Sequence, residues 1–191
     1  MFSPSIEEAL RVALEAHEGQ TRRGDRTVPY VSHPFHIALM LARWGHDETV
    51  LQAALLHDVV EDCEEWTIER VEVHFGAGVA RIVDELTEDK SKTWEERKQG
   101  AIEGVSRLST EAAAVKAIDK LHNLATLTEQ LEAATDLDGV WARFRGGRER
   151  TLETARDLVE ALSQRIDPRM ARALQTALER LMTAAGAVSN S

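Results

Sequence analysis

The sequence is short of the residues that interrupt, staple or anchor a chain. It holds one cysteine in 191 residues, Cys63, which excludes an intramolecular disulfide framework and any zinc ribbon. Cys63 reads as a small packing residue. Prolines number four and glycines eleven, so few positions break a helix. No apolar run approaches the roughly 20 residues that a membrane span needs, and no membrane partner is expected. The opening residues, MFSPSIEEAL, lack the basic and apolar blocks of a signal peptide, so a cytoplasmic protein is expected. Positive charge is scarce as well: 23 Lys and Arg face 33 Asp and Glu, a net charge of −10. That argues against a general nucleic-acid binder, which would need a basic face. A small anionic ligand stays open, because it needs only a local cluster of Arg and Lys, or a metal.

What is present favours helix. Ala, Leu, Glu and Arg dominate, and apolar residues recur at helical spacing in nearly every segment. Helices are predicted over 5–18, with Ser5 and Glu8 as a capping box, from Ser32 or His33 to Gly45 with Pro34 in the first turn, and from an Asp47 cap to about Asp62. Others are predicted from Thr67 to Gly76, over 77–86, over 94–107 behind a Thr93/Glu96 capping box, and from Ser109 or Thr110 to about 133. The last two cover 138–164, with a break at Gly146-Gly147, and run from Asp167-Pro168 to about 184. Residues 19–31 read as one long polar loop, and no strand pattern stands out. The expected architecture is all-α, a compact helical bundle of about eight to ten helices. Residues 1–185 are expected to form one domain, with 138–185 as C-terminal helices packing on it and 186–191 as a frayed tail. Leu152, Ala155, Leu158, Val159 and Leu162 make one C-terminal apolar face, and Ala171, Leu174, Leu178 and Leu181 another. Packing onto the same domain is the expected use of these faces, with a homo-oligomer contact as the alternative.

One stretch is at odds with its surroundings. LLHDVVED, residues 55–62, sets His57, Asp58, Glu61 and Asp62 among the most apolar residues of the chain. At 100° per residue, Glu61 lies about 40° from His57 and Asp62 about 40° from Asp58, so all four share an arc of roughly 140°. Acids buried there without partners would cost several kcal/mol each. A divalent cation would compensate them, and His with Asp is an ordinary ligand set. A metal-free buried polar network is the alternative, and spacing alone leaves the two level. A second polar stripe, Asp119, Asn123 and Thr126, falls at i, i+4 and i+7 on one helix face. His33 sits at a helix N-terminus, where the dipole disfavours imidazolium; it reads as a ligand or as a capping histidine. His17 reads as a satisfied core residue, His36 and His74 as packing, His46 as surface. His122 points away from the Asp119 stripe and is not expected to be a ligand.

Taken together, HP at 33–34, HD at 57–58 and Asp119 resemble the H…HD…D order of the HD-domain metal-dependent phosphohydrolases. The blocks EAHEGQTRRGDRTVPYVSHP, LQAALLHDVVEDC, VEVHFGAGVARIVDELTEDK and VKAIDKLHNLATL are similar to those of the (p)ppGpp hydrolase domain of RelA/SpoT proteins. The closest likeness is to its single-domain form, the small alarmone hydrolases and metazoan SpoT homologs. The likeness spans roughly residues 5–130, and the chain is too short to hold the synthetase domain of the bifunctional members. The resemblance implies an HD-domain bundle and hydrolysis of the 3′-pyrophosphate of (p)ppGpp to GDP or GTP. It implies one divalent ion, most often Mn2+, on His33, His57, Asp58 and Asp119. Glu61 and Asp62 would then handle the proton of the attacking water. Arg22 and Arg23 match a basic pair that flanks the base, where exposed loop arginines are the alternative. Asn123 and Thr126 match residues facing ribose and phosphate, and Lys90, Arg97 and Lys98 are candidates for further phosphate contacts. Two departures bear on the substrate: Ala125 stands where the family often has Arg, and GDRTV replaces a shorter entry to Pro-Tyr. The adenine analogue ppApp, the 2′-phosphate of NADPH, and a nucleotide-binding module without turnover are the alternatives.

Overall fold

The computed structural model describes residues 2–22 and 25–186. The chain begins with α1 (Pro4–Ala16), followed by a two-stranded antiparallel ribbon of β1 (Thr21–Arg22) and β2 (Asp25–Pro29). Then come α2 (Ser32–Arg43), α3 (Glu48–Leu56), α4 (Val59–Asp62), α5 (Ile68–Phe75), α6 (Ala77–Leu86), α7 (Trp94–Gly104), α8 (Thr110–Ala133), α9 (Leu137–Trp141), α10 (Gly147–Ser163) and α11 (Pro168–Ala184). The fold is all-α apart from that small ribbon, as expected. The expected frayed tail beyond Gly186 and the candidate Arg23 lie outside the described residues. No helix among the described residues is long and apolar enough to cross a membrane.

Local chemistry sets most boundaries. Asp47, Thr67, Ser109 and Asp167 each accept a backbone N–H from the first turn of the helix they precede. Thr93 and Glu96 close a full capping box on α7. Gly76 takes φ +86° between α5 and α6, a conformation that side chains other than glycine's rarely adopt.

Three expectations need correction. Helix α1 starts at Pro4 with Ser3 as its cap, because Pro suits the first helical position. Ser5 is free to bond Glu48 and Gln52 across to α3. The polar segment 19–31 is a hairpin rather than a loop. Its strands are too short and too polar to show apolar alternation, and their backbone pairing leaves no mark in the sequence. The helix predicted from 47 to 62 is two helices, interrupted at His57–Asp58.

Helix α8, at 24 residues, is the axis of the molecule. It packs against α2, α3, α6, α9, α10 and α11. Val115 and Ile118 on α8 meet Ile37 and Leu41 on α2, Leu55 and Leu56 on α3, and Ile82 and Val83 on α6 in one fully buried core. Each such side chain contributes roughly 1.5–3 kcal/mol by burial. Leu152, Ala155, Val159 and Leu162 on α10, with Leu174 and Leu181 on α11, are buried within the same chain. The opposite side of α8 stays polar, and the cavity opens along it.

Candidate metal centre and active site

The site is built on the break between α3 and α4. His57 ends α3 and its Nδ1–H donates to the Ala54 carbonyl at 2.8 Å. That carbonyl is the one the Asp58 amide would take in an uninterrupted helix. The chain turns there, and α4 resumes with the Asp62 amide on the Asp58 carbonyl. The shared arc on one continuous helix is therefore corrected: His57 and Asp58 stand at a junction, Glu61 and Asp62 on the next short helix. With Nδ1 engaged, His57 turns Nε2 inward, 3.1 Å from Asp58 Oδ2.

His33, in the first turn of α2, is 1% exposed. Its Nε2 lies 3.0 Å from Asp119 Oδ1 on α8, and its Nδ1 lies 3.0 Å from His122 Nδ1. Both histidines thus have the rear nitrogen held and the forward one presented, the arrangement by which outer partners orient metal-binding imidazoles. His33, His57 and Asp58 offer ligand atoms that all lie within 4.8 Å of one another, a group able to hold a metal ion. Asp119 adds a carboxylate oxygen beside His33. Two imidazoles and two carboxylates are a fitting donor set for a divalent ion.

The electrostatics agree with that fit. Burial works against a charge on His57, but Asp58 and Asp119 outweigh it and push its pKa up to about 9. Asp58 is held well below the ordinary carboxylate range: burial opposes this, and His57 and the Tyr30 hydroxyl overcome it. Asp119 is lowered as well; burial opposes, and the His33 hydrogen bond prevails. The two acids are thus ionised at neutral pH, and a proton on imidazole partly compensates them where a cation would do so fully.

Tyr30, the only tyrosine of the chain, donates its hydroxyl to Asp58 Oδ2. Burial and the neighbouring Asp58 raise its pKa above the ordinary phenol range, so it stays a donor. Behind it, His17 is buried with its ring 4.8 Å from Tyr30 and Nδ1 bonded to Gln20. Its Nε2 has no partner among the described residues, so it is less satisfied than expected. Burial, then the neighbouring His33 and Arg22 charges, lower His122 to about 4. It is neutral at pH 7 and serves as the support behind His33. His36 and His74 are exposed, contrary to the packing roles expected of them.

Glu61 and Asp62 line the same cavity, of about 490 Å³, as the four candidate ligands. Glu61 Oε1 accepts the Glu88 amide at 2.6 Å, and burial, ahead of that opposing bond, raises its pKa. A carboxyl raised in this way is suited to exchange a proton. Asp62 Oδ1 is held by Lys90 Nζ at 2.7 Å.

Arg22 lies with its guanidinium 5.7 Å from the Tyr30 ring and donates to Asn123 Oδ1 at 3.3 Å. Asn123 in turn donates to Asp119 Oδ1 at 2.7 Å. Thr126 lines the cavity, but its hydroxyl is spent on the His122 carbonyl. Arg97 and Lys98 line it too, and both are tied to Glu88, at 3.3 and 2.9 Å. Lys90 does not line it. Two cations missed in the sequence do: Lys116 and Lys120. Burial lowers both, Lys120 to about 8. Their i, i+4 spacing beside Asp119 was the available signal.

Comparison with known proteins gives the chain its family. The family described as HD domain matches residues 9–152. A protein of Xenopus tropicalis named guanosine-3′,5′-bis(diphosphate) 3′-pyrophosphohydrolase MESH1 is 44% identical over 124 residues, 64% of this chain and 69% of that one. Its namesake in Homo sapiens is 43% identical over 122 residues, 63% of this chain and 68% of that one. A solved structure titled as a metazoan ortholog of SpoT that hydrolyzes ppGpp superposes with a TM-score of 0.79 at 32% identity. It covers 98% of this chain and 99% of that one.

Proposed function

Since this chain belongs to the HD-domain family, among the (p)ppGpp hydrolases of the SpoT type, we propose that it hydrolyses (p)ppGpp to GDP or GTP and pyrophosphate. The observation that carries the proposal is the meeting, in one cavity, of His33, His57, Asp58 and Asp119 with three further acids and several cations. The four residues would hold one divalent ion, Mn2+ by the resemblance. Such an ion supplies Lewis-acid chemistry, lowering the pKa of water and offsetting phosphate charge.

The chain's own residues do the rest. Glu61 has Oε1 occupied by the Glu88 amide, so Oε2 takes the proton of the attacking water. Asp62, anchored through Oδ1 by Lys90, orients that water with Oδ2. The water oxygen bonds to the phosphorus on the ribose 3′-oxygen. The bond from that phosphorus to the 3′-oxygen breaks, the oxygen leaves with the electron pair and takes up a proton, and pyrophosphate is released. Arg22 and Asn123 close the site over the nucleoside, and Thr126 adds shape beside them. Arg97 and Lys98 offset phosphate charge when Glu88 yields them. The same proposal takes the protein as cytoplasmic, acting on a small anionic nucleotide and on neither nucleic acid nor membrane.

The test is an assay of protein stripped of metal and resupplied with manganese, against ppGpp, ppApp and NADPH. Pyrophosphate release from ppGpp is expected. Phosphate release from NADPH alone would replace the proposed substrate, and silence on all three would leave a binding module.

A further inference from the structure

The cations around the cavity are not equally engaged. Arg97 and Lys98 share the one carboxylate of Glu88, and Arg22 is bonded to Asn123. Lys116 and Lys120 differ: neither ammonium has a hydrogen bond or a carboxylate within ion-pair distance among the described residues. Both are largely withdrawn from solvent, and both open onto the cavity. They stand one turn apart on α8, about 40° around its axis, with the candidate ligand Asp119 between them in sequence. Their neighbours on the cavity wall include the apolar Val115 and Leu124 and the acids Asp119, Glu88 and Glu61, none of them in an ion pair with either ammonium.

An unpaired, poorly hydrated ammonium destabilises the protein that carries it. Two of them on adjacent turns repel each other and raise that cost. No direct ion pair recovers it: Glu88, Asp119 and Glu61 act on Lys116, and Asp119 on Lys120, only from beyond ion-pair distance, which leaves charge for a ligand to meet. Two cationic heads set side by side match two linked phosphates better than one.

We infer that Lys116 and Lys120 form the seat of the 3′-pyrophosphate, and that this pair makes the site select a diphosphate over a monophosphate at that position. The inference rests on the proposed hydrolysis for the identity of the nucleotide, but not for the anion chemistry. A 3′-diphosphate brings two phosphates to the two ammonium groups that flank Asp119 in sequence, where a monophosphate brings one. A monophosphate would leave at least one ammonium unpaired. Glu88 pairs directly with Arg97 and Lys98 and with neither of these two, although its charge also acts on Lys116.

The experiment is calorimetric titration of the manganese-loaded protein with inorganic pyrophosphate and, separately, with orthophosphate, manganese being kept in excess. It is run on wild type and on K116M/K120M. Methionine keeps the volume of the lysine stem and removes only the charge, and unchanged helicity and metal content check the fold. If the double variant unfolds, each single Lys→Met variant carries the same measurement. Wild type is expected to prefer pyrophosphate by at least about tenfold, as one extra charge-assisted contact allows. The double variant is expected to lose that preference while keeping its affinity for orthophosphate within about threefold. A preference that survives in the variant overturns the inference, as does an equal loss for both anions. If wild type cleaves no ppGpp yet the preference collapses in the variant, the proposed reaction falls and the lysine assignment stands. If ppGpp is cleaved and the preference does not change, the reverse holds.

Discussion

Two groups of charge share one cavity and are satisfied in opposite ways. In one group, His33, His57, Asp58 and Asp119 are each supported from behind or beside, by His122, the Ala54 carbonyl, Tyr30 and Asn123 respectively. In the other, Lys116 and Lys120, on the same turn of α8 as Asp119, have no hydrogen bond or ion pair in the described structure. The first group is held by hydrogen bonds from within the protein. The second has no direct partner, only acids acting on it from beyond ion-pair distance, and leaves part of its charge to be met by what enters. Stability is given up only where binding can return it.

That contrast can be broken most severely at Asp119. Asp119→Ala removes the proposed fourth ligand and leaves His33 Nε2 and the Asn123 amide without their acceptor. Metal content by elemental analysis should fall below about a tenth of an ion per chain, and hydrolysis of ppGpp by about 10⁴-fold or more, as for loss of a whole catalytic element. Retention of both would show that the fourth ligand lies elsewhere. Glu61→Gln or Asp62→Asn should lower kcat by roughly 10²–10⁴-fold, the range for a general acid or base, with metal content unchanged. If these variants lose the ion, they are ligands and their role here is misassigned.

Tyr30→Phe sharpens the comparison without touching a ligand. It deletes only the hydroxyl on Asp58 Oδ2 and should weaken metal binding roughly 10–100-fold, as outer partners do. An affinity within twofold of wild type would reduce Tyr30 to a packing residue. The smallest effect is on protons. In the metal-free protein His57 is raised to about 9, so an ion entering at pH 7 must displace a proton. Metal affinity should therefore rise about tenfold per pH unit up to about pH 9 and then level off. Calorimetry in buffers of different ionisation enthalpy should show about one proton released per ion. The folding stability of the metal-free protein runs the other way. The His57 contribution is complete below about pH 6.5, its unfolded value, and is lost as the pH rises through 9.

Much of this molecule is legible from local pattern. The caps at Asp47, Thr67, Thr93, Ser109 and Asp167 could be read because each acts on amides two or three residues away. The candidate ligands could be read because acids and imidazoles in an apolar stretch are costly enough to need a reason. The break at His57–Asp58 could not, since the apolar period runs through it and the cause is a ring reaching back to one carbonyl. Tyr30 and His122 were missed because their partners lie 28 and 89 residues away. Lys116 and Lys120 were missed because an exposed helix face carries lysines at the same spacing.

By itself, then, the sequence determined the helical class, most helix ends and the short set of residues worth placing round an ion. These follow from interactions within a few residues and from the cost of misplaced polarity. Only the tertiary structure decided which nitrogen of each histidine faces the site, what stands behind each ligand, and which lysines lack a partner. Those depend on α2, α3 and the ribbon closing against α8, and contacts between distant segments leave no periodic trace along the chain.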